Sequence, residues 1–231
     1  MSAPTTGHPL AAVLFDMDGT LVDSEKVWSV GLEELARHYG GTLSEPARLA
    51  MVGTNMAESM QILHTDIGQP WRDEATSVVW LERRVAQLFA EGLLWRPGAR
   101  ELLVALAAAG VPMALVTATS RQLVLVALET IGSHFFAAAV AGDDVAETKP
   151  HPMPYLTAAR LVGADPTRCV AIEDSPNGLR SAAAAGCVVL GVPCEVPLDA
   201  EGAARVSLVD SLVEVDVASL RALVAGAGPV T

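Results

Sequence analysis

The chain has 231 residues, of which 51% are hydrophobic and 18% charged, so it can bury a sizeable core and is not a disordered segment. A net charge of −12 without a basic run excludes proteins that hold nucleic acid by attraction to its phosphates. The cysteines lack metal-ligand spacing and the first residues lack signal-peptide features, so we expect a reduced, cytoplasmic protein.

Five short apolar runs predict buried strands, at 11–15, 112–117, 137–142, 169–172 and 187–192. Three segments of helical period separate the last four strands, at 120–131, 152–162 and 176–185. This alternation predicts an α/β fold with a Rossmann-like parallel sheet and helices on its faces. A further strand near 205–209 and a helix at 216–224 are expected, but the role of the chain after about residue 195 stays open.

Capping signals mark several helix ends. Thr119 with Gln122 predicts a capping box, and Ser175 followed by Pro176 predicts a second helix start. Gly110 divides the longest apolar run, 102–118, into a helix and a strand that are each too short to cross a bilayer. We therefore expect no membrane association.

A long segment, 24–95, separates the first strand from the second. It carries spaced apolar positions throughout, which predicts helices rather than one crossover connection. We infer an inserted α-helical cap at 24–95 on a core made of 9–23 and 96–231, with hinges near 23–25 and 94–97.

Polar side chains follow four of the predicted strands. In an open parallel sheet these positions share one edge, where ligands bind. Carboxylates gathered there repel one another unless a cation sits among them, and Mg²⁺ prefers such oxygen ligands. A lysine and a hydroxyl group beside them suit a phosphoryl group, and a carboxylate can act as a nucleophile. The residues concerned are Asp16, Asp18, Thr117, Lys149, Glu173 and Asp174.

Two other interpretations of the first acidic pair are weaker. A calcium-binding EF-hand loop would need glycine where the chain has Leu21 and glutamate where it has Val27. Taken alone, Asp23, Asp143 and Asp144 are each expected to be solvated turn residues without a function. The sequence also contains no Walker A motif for nucleotide binding.

Four motifs in order, FDMDGT, VTAT, KP and IEDSPNG, resemble those of the haloacid dehalogenase-like hydrolase superfamily. The resemblance covers about residues 10–195. The helical insert is similar to the cap of the branch that contains β-phosphoglucomutase and small sugar-phosphate phosphatases. Acids at 18, 173 and 174 favour phosphoryl transfer over dehalogenation.

The resemblance implies a catalytic role for two aspartates. Asp16 would be the nucleophile, and Asp18 would protonate the leaving oxygen and later activate water. Both would also contact Mg²⁺, Asp18 through its backbone carbonyl. Asp174 would bind the ion directly, and Glu173 mainly through a water molecule.

The same resemblance implies a phosphate site made by Thr117, the amide of Ala118 and Lys149. It also implies that the strands preceding Thr117 and Asp174 flank the strand preceding Asp16. Mg²⁺ is thus the expected cofactor, and a small phosphorylated metabolite is the expected partner.

The cap residues predicted to select the substrate are Trp28, Asn55 and Met56. By spacing, Trp28 and Met56 replace a histidine and an arginine that β-phosphoglucomutases use, which favours hydrolysis of a phosphorylated sugar or related metabolite. Packing between cap helices is the alternative role for both residues. A sugar-phosphate mutase and a non-catalytic phosphate- or partner-binding protein remain alternatives. The oligomeric state is open, with a monomer favoured.

Overall fold

The computed structural model describes residues 10–51, 54, 56–199 and 205–226. One sheet of six parallel strands forms its centre, in the order β3-β2-β1-β4-β5-β6. All the predicted strands, including the late sixth, are confirmed. The strands are β1 Ala12–Phe15, β2 Met113–Val116, β3 Ala138–Val140, β4 Cys169–Glu173, β5 Val188–Gly191 and β6 Val206–Leu208.

The register of the three central strands sets the position of the polar edge. Phe15 of β1 lies level with Leu115 of β2 on one side and with Ile172 of β4 on the other. Every residue of these strands is buried, which explains why their sequences are continuously apolar. The polar residues that follow them are therefore brought to one edge of the sheet.

Four helices follow β1 along the chain, in the segment that precedes Trp95. They are α1 Glu25–His38, α2 Glu45–Met51, α3 Met56–Asp66 and α4 Glu74–Ala90. Their buried side chains, such as Leu35, Leu63 and Phe89, belong to the same apolar cluster as Val13 and Phe15 of β1. This segment therefore packs on the sheet layer as well as on itself.

The two connections that join this helical segment to the sheet pair with each other. Asp23 N donates to Leu94 O at 2.8 Å, and Arg96 N donates to Leu21 O at 2.9 Å. Between these bonds, Val22 and Trp95 form an antiparallel bridge. The chain thus leaves and re-enters the sheet layer at one place.

After residue 95, the described part of the chain contains five α-helices that connect or flank the strands. They are α5 Ala99–Ala108, α6 Arg121–Ile131, α7 Met153–Leu161, α8 Pro176–Ala184 and α9 Val217–Ala225. The predicted division of the apolar run at 102–118 into a helix and a strand is confirmed by α5 and β2. Among the helices in the described part of the chain, none combines the length and apolar character needed to cross a bilayer.

The predicted helix starts had different outcomes. Ser175 is confirmed as the N-cap of α8, because its Oγ accepts from Gly178 N at 3.1 Å. The capping box at Thr119 is wrong, since Ser120 is the N-cap of α6 and makes no side-chain capping bond. Asp143 from a neighbouring loop accepts from Arg121 N at 2.7 Å instead. The hydroxyl group of Thr119 is used elsewhere, at the polar edge.

Helix α6 offers a matched test of core packing. Leu123 is 1% exposed, whereas Leu125 on the same helix is 57% exposed. We expect Leu123→Ala to lower the free energy of unfolding by about 3 kcal/mol through lost burial and a residual cavity. Leu125→Ala should change it by less than about 0.5 kcal/mol. Urea unfolding monitored by circular dichroism measures both, and equal losses would contradict the packing described here.

Candidate active site

The turn after β1 carries the first two aspartates. Asp16 is buried, Met17 packs into the apolar core, and Gly19 adopts a φ of +77° that non-glycine residues rarely take. A Cβ atom on Gly19 would lie 2.0 Å from Asp174 Oδ2. Glycine at this position therefore lets the backbone of the turn approach the carboxylate that follows β4.

Lys149 joins the residues at the ends of the three central strands. Its Nζ lies 2.6 Å from Asp16 Oδ1, 2.5 Å from Glu173 Oε1 and 3.0 Å from Val116 O. Burial alone would lower the pKa of Lys149, but the carboxylates of Asp16 and Glu173 raise it above its usual value. The ammonium group is thus held charged in a buried position.

Glu173 is fixed by further donors that the sequence did not reveal. The hydroxyl group of Tyr155, on α7, donates to Glu173 Oε1 at 2.5 Å, and Ser175 Oγ donates to Oε2 at 3.2 Å. Tyr155 is fully buried. Its place among small apolar residues of α7 was the only available signal, because a buried tyrosine usually needs a partner for its hydroxyl group.

Three buried acids form a possible metal centre. Asp16, Glu173 and Asp174 each offer a carboxylate oxygen, and these oxygens lie within 4.8 Å of one another. Asp16 Oδ2 is buried and has no hydrogen-bond partner. Hard oxygen donors with one uncompensated atom fit a divalent cation such as Mg²⁺. Since Glu173 already accepts from Lys149, Tyr155 and Ser175, Asp16 and Asp174 are better placed to bind the ion directly.

The pKa values of two of these acids reflect the same crowding. Burial raises the pKa of Asp16 to about 8, an effect that Lys149 opposes and the neighbouring carboxylates of Glu173 and Asp18 reinforce. Burial, with Asp16 and Glu173 next in importance, also raises the pKa of Asp174 well above its ordinary value. A cation bound among these groups would favour their charged forms.

Asp18 is held through both carboxylate oxygens. Oδ1 accepts from Ser24 Oγ at 2.7 Å and, at a longer 3.5 Å, from the indole nitrogen of Trp28. Oδ2 accepts from Thr117 Oγ1 at 3.0 Å and Thr119 Oγ1 at 2.7 Å. Ser24 and Thr119 were not predicted at the site. Ser24 stands at the start of α1, and Thr119 matched a capping pattern in the sequence.

The predicted phosphate-binding residues lie at the same edge. Thr117 is buried directly after β2, and its Oγ1 accepts from Thr119 N at 3.0 Å while donating to Asp18. Ala118 is exposed next to it. The ammonium group of Lys149 contacts the carbonyl of Val116, the residue before Thr117, so a charged donor lies next to this turn.

The three cap residues predicted to select the substrate have different positions. Trp28 reaches Asp18 and also meets the ring of Phe89 edge to face, with ring centroids 6.4 Å apart. Met56 is half-buried at the start of α3 and packs against the main apolar cluster. Asn55 lies outside the described residues. Of Trp28 and Met56, Trp28 is therefore the residue whose side chain contacts an acid of the site.

The sequence is similar to those of known proteins along most of their length. Hexitol phosphatase A of Escherichia coli K12 is 36% identical over 190 residues, which cover 80% of this chain and 84% of that protein. Phosphoglycolate phosphatase of Chromobacterium violaceum is 30% identical over 191 residues, or 79% and 85% of the two chains.

Among solved structures, CbbY from Rhodobacter sphaeroides in complex with xylulose-(1,5)bisphosphate superimposes with a TM-score of 0.79. It is 29% identical, and the match covers 91% of this chain and 99% of that one. A family model described as haloacid dehalogenase-like hydrolase matches residues 10–186. Since this match takes in β1, the helical segment and all four polar strand ends, the chain belongs to the haloacid dehalogenase-like hydrolase family.

Proposed function

We propose that this protein is a Mg²⁺-dependent phosphatase that hydrolyses a small phosphomonoester through a phosphorylated aspartate. Membership of the family and phosphatases among its relatives support the class, phosphoric monoester hydrolase. One observation carries the covalent step. Asp16 is bound through Oδ1 by Lys149, whereas its Oδ2 is buried without a partner at the acidic centre.

Mg²⁺ would be held by Asp16 and Asp174, with the backbone carbonyl of Asp18 and a water molecule on Glu173 as further ligands. When bound, the ion would neutralise part of the negative charge of these acids and of the phosphate group. The phosphate oxygens would also contact Lys149 and, at the end of β2, the Thr117 hydroxyl group and the Ala118 amide.

In the first step, a carboxylate oxygen of Asp16 attacks phosphorus, and the bond between phosphorus and the ester oxygen breaks. Asp18 gives its proton to that oxygen, so the products are a free alcohol and phosphorylated Asp16. Lys149 stabilises the transferring group because its ammonium is already fixed beside Asp16.

In the second step, a water molecule attacks phosphorus and Asp18 takes its proton. The bond between phosphorus and Asp16 breaks, which releases inorganic phosphate and regenerates both aspartates for the next cycle. The hydroxyl groups of Ser24, Thr117 and Thr119 keep the Asp18 carboxylate in place for both proton transfers.

Residues 24–95 would act as a cap that covers the substrate and excludes bulk water. Ser24 and Trp28 bring this segment to the site, since the Ser24 hydroxyl group and the Trp28 indole N–H both contact Asp18 Oδ1. Neither Trp28 nor Met56 can shuttle a proton at neutral pH or bind a second phosphate by charge. This favours hydrolysis over a mutase reaction, in which the substrate keeps its phosphate.

The substrate class that we propose is a phosphorylated sugar or related metabolite. The three cysteines are free, and Cys169 and Cys187 are buried, which supports the reducing environment of the cytoplasm as the place of action.

The first test is release of inorganic phosphate from a panel of phosphorylated metabolites. We expect release that requires Mg²⁺ and that Asp16→Asn lowers by at least about a thousandfold, because the amide cannot attack phosphorus. Asp210→Asn, at an exposed position after β6, is the matched control and should retain full activity. Full metal-dependent activity in Asp16→Asn would contradict the covalent mechanism, and isomerisation without release would indicate a mutase.

The second test concerns Tyr155 as a positioning residue. Tyr155→Phe removes one donor to Glu173 and loosens the group that holds Lys149, so we expect kcat to fall about tenfold, the equivalent of one hydrogen bond. KM should change less, and calorimetry should show weaker Mg²⁺ binding. Tyr39→Phe removes the contact between the hydroxyl groups of Tyr39 and Ser77, 2.8 Å apart in the helical segment, and should leave kcat unchanged. Equal kcat values in the two variants would contradict a positioning role for the Tyr155 hydroxyl group and leave the residue with packing alone.

A further inference from the structure

We propose that three charged residues at the entrance to the site, Glu25, Arg48 and Glu195, select phosphomonoesters with no second negative charge. The preferred substrates are then phosphorylated polyols and sugars, rather than bisphosphates or phosphorylated carboxylic acids. This inference rests on the proposed function and specifies its substrate.

Two of these residues flank the aspartate turn. Glu25 begins α1 and directly follows Ser24, whose hydroxyl group contacts Asp18. Glu195 follows Cys194, whose Cβ lies 3.4 Å from the place where a Cβ on Gly19 would stand. The acids therefore approach the aspartate turn from the helical segment and from the loop after β5.

Arg48 lies on α2 of the helical segment, and its side chain reaches Glu195 in the loop after β5. Its guanidinium group binds Glu45 through two bonds of 2.9 and 3.0 Å and lies 3.8 Å from Glu195 Oε2. A second anionic group on the substrate could use Arg48 only by displacing one of these carboxylates. The displaced acid would then remain unpaired next to the new negative charge, which disfavours binding.

The other cations near this entrance also have protein partners. Lys26 lies 2.5 Å from Asp23 Oδ2, and Arg96 donates to the carbonyl of Pro193 at 3.4 Å. Of these cations, Arg48 and Lys26 are paired with carboxylates, and Arg96 is bonded to a backbone carbonyl.

The pKa of Glu25 indicates an environment that disfavours negative charge. Burial, followed by the charges of Asp18, Glu195 and Asp23, raises its pKa to about 7, although Arg48 acts in the opposite direction. The environment that disfavours a charged Glu25 also disfavours a carboxylate or phosphate on the ligand. Hydroxyl groups, by contrast, can donate hydrogen bonds to both glutamates, which suits a polyol chain.

A pair of substrates isolates this effect. Glucitol 6-phosphate and 6-phosphogluconate have the same six-carbon chain and phosphate, but carbon 1 is a hydroxymethyl group in the first and a carboxylate in the second. We expect kcat/KM to be at least about tenfold higher for glucitol 6-phosphate, the size of effect that one unfavourable charge has near a protein surface. Because salt screens exposed charges, the ratio should fall as ionic strength rises.

Variants at the entrance should move this ratio in opposite directions. Glu195→Gln removes a negative charge and leaves Arg48 paired with Glu45 alone, so the ratio of the two kcat/KM values should fall about threefold or more. Arg48→Gln removes a positive charge and should raise the ratio. Glu101→Gln, on the exposed face of α5, is the matched control and should leave it unchanged. Circular dichroism verifies that all variants are folded.

The outcomes separate this inference from the proposed function. A wild-type ratio near one, or a Glu195→Gln ratio equal to that of Glu101→Gln, would overturn the selection while the phosphatase function stands. No hydrolysis of either substrate or of the metabolite panel would overturn the phosphatase function, and the selection with it.

Discussion

The site depends on one buried ammonium group placed among carboxylates. Lys149 contacts the acids that end β1 and β4 and the last carbonyl of β2, so it ties together the three central strands at one point. Burying either Asp16 or Lys149 alone would be costly, and the pair is tolerated because each satisfies the other. The level register of these strands is what makes the contact possible.

This arrangement leaves the site short of positive charge. Four carboxylates lie at this edge, those of Asp16, Asp18, Glu173 and Asp174, and Lys149 contacts two of them, Asp16 and Glu173. Tyr155 and Ser175 stabilise Glu173, and hydroxyl groups stabilise Asp18, but Asp16 Oδ2 has no donor. The uncompensated negative charge is therefore located at Asp16 Oδ2, where it could bind a divalent cation. Neutral hydroxyl donors hold the acids in position without cancelling the negative charge that attracts such a cation.

The strand ends could be predicted from the sequence because a parallel sheet brings them to one edge whatever the details of packing. Residues that act from helices could not. Tyr155 has the spacing of a core residue on α7, and only the fold places Glu173 above its hydroxyl group. Thr119 has the pattern of a cap, yet its hydroxyl group contacts Asp18, and Asp143 from a distant part of the chain bonds the start of α6. Whether such a side chain bonds a neighbour in the sequence or a residue from another part of the fold depends on the three-dimensional structure, which a short stretch of sequence does not reveal.

The paired connections at Val22 and Trp95 have a consequence for how such proteins can diversify. Backbone hydrogen bonds hold the two ends of the helical segment together, so the segment forms a closed loop that starts and ends at one place on the sheet layer. Doubling the length of a flexible loop adds only about 0.6 kcal/mol of closure entropy. Insertions, deletions or exchanges between α1 and α4 can therefore change the helical segment while the register of β1, β2 and β4 stays the same. The helical segment can thus vary in length and sequence without moving the strand ends beside Asp16, Thr117 and Glu173.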